Sequence, residues 1–156
     1  PTSLVKYAET ESDIYCELLC YQPTETPEEI DSFADSIGLN KELSTTADSS
    51  DRYVSEKNGA IRMVRSLKLF GWNIHKVSKT KTIMFWLLSM KKKRINIVNN
   101  NLVHFAKKEA ENYTLKTVNG IAINQPVDNF NHFWDAVRYA HMAEHSNANN
   151  FIVKTN

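Results

Sequence analysis

The chain has 156 residues, of which 42% are apolar and 24% charged, and its formal net charge is +1. This length fits one domain with its own core, and the near-neutral charge excludes a polycation, so any contact with nucleic acid must come from local basic patches. No run of about 18 apolar residues is present, so the sequence predicts no membrane span, and no basic-then-apolar signal pattern opens the chain.

The first half of the chain predicts a β-hairpin followed by alternating helices and strands. Thr26, Pro27 and Glu29 form a predicted capping box with proline at the first helical position, and Gly38 ends that helix. The helical period of apolar residues predicts a second helix over roughly 51–70, capped by Ser49, Ser50 or Asp51. The predicted strands cover 4–8, 14–21, 43–47 and 72–77.

The second half predicts two further helix–strand alternations and a tight hairpin. Thr80 or Thr82 opens a helix to Met90, and Asn100 or Asn101 caps another to about residue 112. A strand covers 95–98, and Asn119-Gly120 predicts a hairpin within 113–123. A last helix spans about 129–145, before a polar tail at 146–156. Hairpins followed by alternation indicate one α/β domain over 1–145 with a mixed sheet.

Cys16 and Cys20 lie four residues apart on a predicted strand, which places them about 13 Å apart. That separation is too long for a disulfide, and two reduced thiols suit a reducing, cytosolic compartment.

Candidate metal ligands occur at the end of one strand and along the last helix. Asp128, His132 and Asp135 are spaced four and three residues apart, so they share one helix face if that helix begins early enough. Two carboxylates and an imidazole are costly to bury together unless a positive charge compensates them, and a divalent cation does this. Asp48 ends a strand, where ligands of open α/β sheets collect. Carboxylates at these two places fit a two-metal hydrolytic site.

Each candidate also has a purely structural interpretation. Asp48 and Asp128 can be helix caps, His132 can satisfy a core hydrogen bond, and Asp135 can pair with Arg138 three residues on.

Lys79 and Lys81 follow a strand end directly, which makes them the best candidates among the basic residues to contact phosphate. Most basic runs are simply solvated helix faces and ends. No phosphate-binding loop of an ATPase, no nucleophile elbow and no zinc-protease motif is present in the sequence.

Several short elements, in this order, resemble the C-terminal nuclease domain of tailed-phage terminase large subunits. The most specific is Pro-Val-Asp at 126–128 followed by Asn-His-Phe-Trp-Asp-Ala-Val-Arg-Tyr at 131–139. The weaker ones are Ala47-Asp48-Ser49, the basic strand exit at 71–79, and the strand 95–98 with Asn101-Leu102 and Glu109 after it. Together they span nearly the whole chain.

The resemblance implies an RNase H-like fold and a metal-dependent endonuclease that cuts concatemeric double-stranded DNA. It implies Asp48 and Asp135 as ligands of Mg²⁺ or Mn²⁺ and His132 as the group that orients a ligand or water, and the spacing adds Asp128 as a third candidate ligand. Lys79, Lys81 and Arg138 are then the candidate DNA contacts. The implied partners are DNA, an N-terminal ATPase domain, the portal and the small terminase subunit, with no membrane, in the host cytoplasm.

Two departures from the family pattern affect these expectations. Asn131 stands where many members have aspartate. In the family, the first aspartate belongs to an Asp-x-Gly element, and this sequence begins at a point that corresponds to just after that element. We therefore expect a domain without its first strand, which cuts DNA poorly or not at all. The alternatives are another RNase H-like nuclease, of the resolvase or transposase kind, and a non-catalytic DNA-binding or docking module.

Overall fold

The structure, a computed structural model, describes residues 1–24, 26–48, 53–55 and 59–147. The chain forms two compact units. The first unit combines Pro1–Gln22 with the chain from Lys79 onward, and the second unit is Pro23–Ser78. No helix among these residues is both long and apolar enough to span a bilayer.

The strands of the described residues are, in chain order, β1 (Thr2–Glu9), β2 (Asp13–Gln22), β3 (Thr45–Ala47), β4 (Tyr53–Ser55), β5 (Gly59–Ile61), β6 (Ile74–Lys76), β7 (Arg94–Ile97), β8 (Leu115–Val118) and β9 (Ile121–Pro126). The helices are α1 (Pro27–Ser36), α2 (Met63–Leu69), α3 (Ile83–Met90), α4 (Val103–Asn112) and α5 (His132–Asn147).

The first unit is built on a three-stranded mixed sheet in the order β1-β2-β7. β1 and β2 form the predicted antiparallel hairpin, and β7 lies parallel to β2, with Ile14 opposite Ile95. Alternate residues of β2 point into the core because strand side chains alternate between faces. The buried core cluster consists of Ile14, Cys16, Leu18, Met90, Ala106, Phe133 and Val137. The predicted mixed sheet is therefore confirmed.

Helix α5 contributes Phe133 and Val137 to this core, both fully buried. They are four residues apart, so they lie on one face of the helix and fix which side of α5 meets the sheet. Cys16 and Cys20 are free, buried thiols on β2.

The second unit packs α1 and α2 beside the parallel pair β3-β6. Its buried core comprises Ala34, Val64, Leu67, Trp72 and Ile74. The predicted capping box is confirmed, because the Thr26 hydroxyl accepts a hydrogen bond from the Glu29 backbone N–H while the Glu29 carboxylate accepts one from the Thr26 N–H.

The predicted helix over 51–70 is confirmed at Met63–Leu69 and wrong at 53–55 and 59–61. β4 and β5 pair as an antiparallel hairpin, and the helix is limited to Met63–Leu69. Tyr53, Val54 and Ile61 are residue types that favour strands, and their pairing across the hairpin outweighs the helical spacing of the apolar residues. Leu69, an apolar residue of the predicted helix, is 80% exposed. The predicted cap at 49–51 lies outside the described residues.

Other local predictions are confirmed. Thr82 is the N-cap of α3, with its side chain accepting from the Phe85 N–H. Asn119 (φ 50°) and Gly120 (φ 79°) turn the β8–β9 hairpin with both residues left-handed, as this dipeptide predicts.

Candidate functional site

The start of α5 is held by a buried carboxylate from α4. Glu109 is 1% exposed, and its two oxygens accept the backbone N–H groups of His132 (3.1 Å), Phe133 (2.8 Å) and Trp134 (3.4 Å). The Tyr21 hydroxyl donates to the same carboxylate at 2.6 Å. Unpaired N–H groups at a helix start carry a partial positive charge that a carboxylate satisfies. Glu109 therefore fixes where α5 begins.

Asp135 lies in the first turn of α5 and is bound on both oxygens. Arg138 donates from Nη2 to Asp135 Oδ1 at 2.7 Å, and the Asn131 amide donates to Oδ2 at 3.3 Å. The ion pair considered from the sequence is thus present, with Asp135 a quarter exposed and Arg138 buried. Burial first, and then the charge of Asp135, raise the pKa of the neighbouring Tyr113 to about 12. Asp135 therefore presents a carboxylate that its neighbours orient and solvent can reach.

The structure separates Asp128 from the other two candidates on this segment. Because α5 begins at His132 and not near 129, Asp128 lies four residues before the helix, and the prediction that the three side chains share one helix face is wrong. Its exposed side chain pairs instead with Lys116, 2.7 Å away. Phe130, with φ at +58°, breaks the helical path between them.

His132 is exposed at the start of α5 and packs edge-on against the Tyr21 ring, 6.3 Å between centroids. Although the side chain is exposed, partial desolvation of its ring lowers the pKa of the imidazole below its usual value. The ring is therefore neutral at pH 7 and keeps a lone pair that can accept a proton or a hydrogen bond.

Asp48 directly follows β3 in the second unit, at the carboxyl end of that strand as predicted. Asp135 belongs to the first unit. That the two carboxylates converge to share cations stays a prediction.

The predicted basic contacts lie in different surroundings. The exposed Lys79 places its ammonium 5.5 Å from the centre of the Tyr139 ring, and the Arg138 guanidinium lies 4.6 Å from the same ring. Lys79 is thus brought to the part of α5 that carries Asp135. Lys81, also exposed, lies over Phe85 at 5.8 Å. Arg138 is buried and paired with Asp135, so in this conformation its guanidinium is not exposed for contact with DNA.

A second cluster of metal-binding side chains joins the end of β1 to the later turns of α5. Nitrogen atoms of His141 and His145 and a carboxylate oxygen of Glu9 all lie within 4.8 Å of one another. None of these three residues was among the predicted site residues. The spacing of the two histidines, four apart on one helix, was a usable signal, whereas Glu9 is more than 130 residues away and only the fold brings it there.

The mixed sheet with helices packed on it defines an α/β fold. Among solved structures, the chain is similar to the nuclease domain of the large terminase of bacteriophage SPP1, whose structure contains bound Mn. The two share 22% sequence identity with a TM-score of 0.68, over 92% of this chain and 80% of that one. This likeness confirms the predicted fold. No protein-family model and no curated protein matches the chain in sequence.

Proposed function

We propose that the chain is the metal-dependent endonuclease domain of a phage DNA-packaging terminase large subunit, and that it cuts concatemeric double-stranded DNA. The observation that carries this proposal is the likeness over nearly the whole chain to a terminase nuclease domain with bound Mn. The position of Asp135, in the first turn of the last helix and partly exposed, supports it.

The donor chemistry around Asp135 fits Mg²⁺ or Mn²⁺, which prefer oxygen ligands. Asp135 offers one solvent-accessible carboxylate, and Asp48 and Asp128 supply the other carboxylates of the proposed set. Asp128 has to exchange its ion pair with Lys116 for this. When bound, such cations polarise the phosphodiester and activate water for attack.

The other residues act on orientation and charge. Arg138 fixes the direction of the Asp135 carboxylate, because its buried guanidinium donates to Oδ1 at 2.7 Å. His132, neutral at pH 7, orients water or a ligand. Lys79 steadies a DNA phosphate, and Lys81 adds a second contact farther along the strand exit. Arg138 contacts DNA only after a rearrangement that exposes its side chain.

Asp135→Asn tests the proposal through nicking of supercoiled plasmid in Mn²⁺. The substitution removes the negative charge while keeping the shape, so cleavage should be lost. Because it also leaves the buried Arg138 without its charge partner, Asp135→Glu is made in parallel: it keeps the charge but moves the carboxyl group by one methylene, and should also abolish most cleavage. Glu111→Gln, on the exposed side of α4, is the control and should cut like the unaltered chain.

The assay includes a form of the protein extended upstream of Pro1, because the family resemblance implies a further aspartate in that direction. Retained cleavage in both Asp135 variants, with unchanged far-UV circular dichroism, would remove Asp135 from the proposed site. Preference for branched over linear DNA would favour a resolvase-like nuclease. Absence of Mn²⁺ binding by calorimetry in the extended form would favour a docking module.

A further inference from the structure

We propose that Glu9, His141 and His145 form a binding site for a zinc-class transition-metal ion, separate from the cations proposed at Asp135. The three residues come from the end of β1 and from two successive turns of α5. They offer one carboxylate oxygen and two imidazole nitrogens, all within 4.8 Å of one another. This site goes beyond the proposed nuclease function and does not depend on it.

The ligand types select the metal. Two imidazoles with one carboxylate are a common protein ligand set for Zn²⁺, with water in the remaining position, whereas Mg²⁺ favours oxygen ligands. The two rings lie 4.3 Å apart, centre to centre, because residues four apart on a helix sit one above the other. His141 is fully buried and His145 is partly exposed, so an ion enters from the His145 side.

The cluster is already ordered by hydrogen bonds around Glu9. One carboxylate oxygen lies 2.8 Å from His141 Nδ1 and also accepts from Tyr7, while the other lies 2.9 Å from His145 Nε2 and 2.7 Å from the Lys93 ammonium. Burial by itself would raise the pKa of Glu9, but these hydrogen bonds outweigh it and lower the pKa to about 2. The same contacts fix the direction of both Glu9 oxygens, which face the two histidines.

Lys93 is the competing cation. Its ammonium also donates to the carbonyl oxygens of Thr10 and Glu11, at 2.5 Å and 2.9 Å. These contacts anchor Lys93 at the β1–β2 turn, on the side of the Glu9 oxygen that faces His145. The other oxygen faces His141 and already accepts from Tyr7, so an ion there takes the place of the His141 proton and shares the carboxylate with Tyr7 and Lys93.

His141 can bind an ion without losing a proton overall. A neutral imidazole carries one proton on one of its two nitrogens. Its Nε2 lies 2.9 Å from the Ser89 hydroxyl. When Nδ1 binds the metal, the proton sits on Nε2 and is donated to the Ser89 oxygen, which is the arrangement that outer partners of metal-bound histidines usually provide.

The site does not share its ligands with Asp135. His141 follows Asp135 by six residues on α5, which is about 9 Å along the axis and about 120° around it. An ion at Glu9, His141 and His145 therefore ties the end of β1 to the later turns of the helix whose first turn carries Asp135.

Cobalt(II) spectroscopy on the chain without a histidine tag tests the proposal, since Co²⁺ in a site with nitrogen ligands gives visible absorption. We expect stoichiometric Co²⁺ binding, displacement by Zn²⁺, no displacement by excess Mg²⁺, and a rise in melting temperature on adding Zn²⁺. His145→Gln should weaken binding by about 100-fold or more, because losing a ligand costs at least as much as losing its outer partner. His145 is the chosen ligand since it is partly exposed, so its replacement spares the core.

Two control variants separate this site from the rest of the chain. His104→Gln, an exposed histidine on α4, and Asp135→Asn should both keep the cobalt signal. Absence of stoichiometric binding would show that Lys93 and the histidines form only an ion-pair network around Glu9. Equal binding by His145→Gln, or loss of binding in Asp135→Asn, would also overturn the proposal. Failure of the nuclease assay alone leaves the cobalt result unchanged.

Discussion

Replacing Glu109 by glutamine should strongly destabilise the protein, although the two side chains have nearly the same size. Glu109 is buried and accepts four hydrogen bonds, three from the backbone at the start of α5 and one from Tyr21. One oxygen takes Phe133 and Trp134, and the other takes His132 and Tyr21. An amide keeps only one accepting oxygen, and its NH₂ group then faces N–H or O–H donors.

The size of the effect follows from this pairing. Two of the four hydrogen bonds are lost, and bonds to a charged group contribute roughly 1.5–3 kcal/mol each. The attraction between the carboxylate and the helix dipole, up to about 2 kcal/mol, is lost as well. Relief from burying a charge and local rearrangement offset part of this, so we expect a net loss of about 3 kcal/mol. For a chain of this length that corresponds to a fall in melting temperature of roughly 6–12 °C.

Urea unfolding followed by far-UV circular dichroism measures this loss. The matched control is Glu111→Gln, which makes the same chemical change on the exposed side of the same helix and should alter stability by less than about 0.5 kcal/mol. If Glu109→Gln is no more destabilising than the control, the carboxylate does not stabilise the start of α5 and the reasoning is refuted.

Two further predictions concern the hairpin and its thiols. Hydrogen bonds from Arg94, Ser12 and Asn96 lower the pKa of Asp13 to about 2, below the unfolded value of 3.8. The contribution of Asp13 to stability is therefore present above about pH 4 and is lost as the pH falls towards 2. Asp13→Asn should flatten this part of the stability–pH curve measured by acid titration, and an unchanged curve would contradict the assignment. Burial raises the pKa of the Cys16 thiol to about 12 and also raises the pKa of Cys20. Neither thiol should therefore react with a thiol reagent in the folded protein at pH 8, and both should react in denaturant. Rapid labelling of the native chain would contradict their burial.

The local signals in the sequence were sufficient where a few neighbouring residues decide the structure. The capping box at Thr26, the N-cap at Thr82 and the turn at Asn119-Gly120 all formed as predicted. The helix over 51–70 failed at 53–55 and 59–61, because strand pairing of these segments outweighed the helical spacing of their apolar residues. The motif containing His132 and Asp135 was visible in the sequence, and so was the fold class.

Only the tertiary structure decided the neighbours of those residues. Glu109, from a different helix, set where α5 begins, and this leaves Asp128 in the segment before the helix. The cluster of Glu9 with His141 and His145 depends on β1 packing beside α5, two segments at opposite ends of the chain. Spacing along the sequence specifies contacts within one helix or one turn, because the backbone geometry there is fixed. Contacts between distant segments depend on how the apolar faces pack, and that is settled only when the whole core forms.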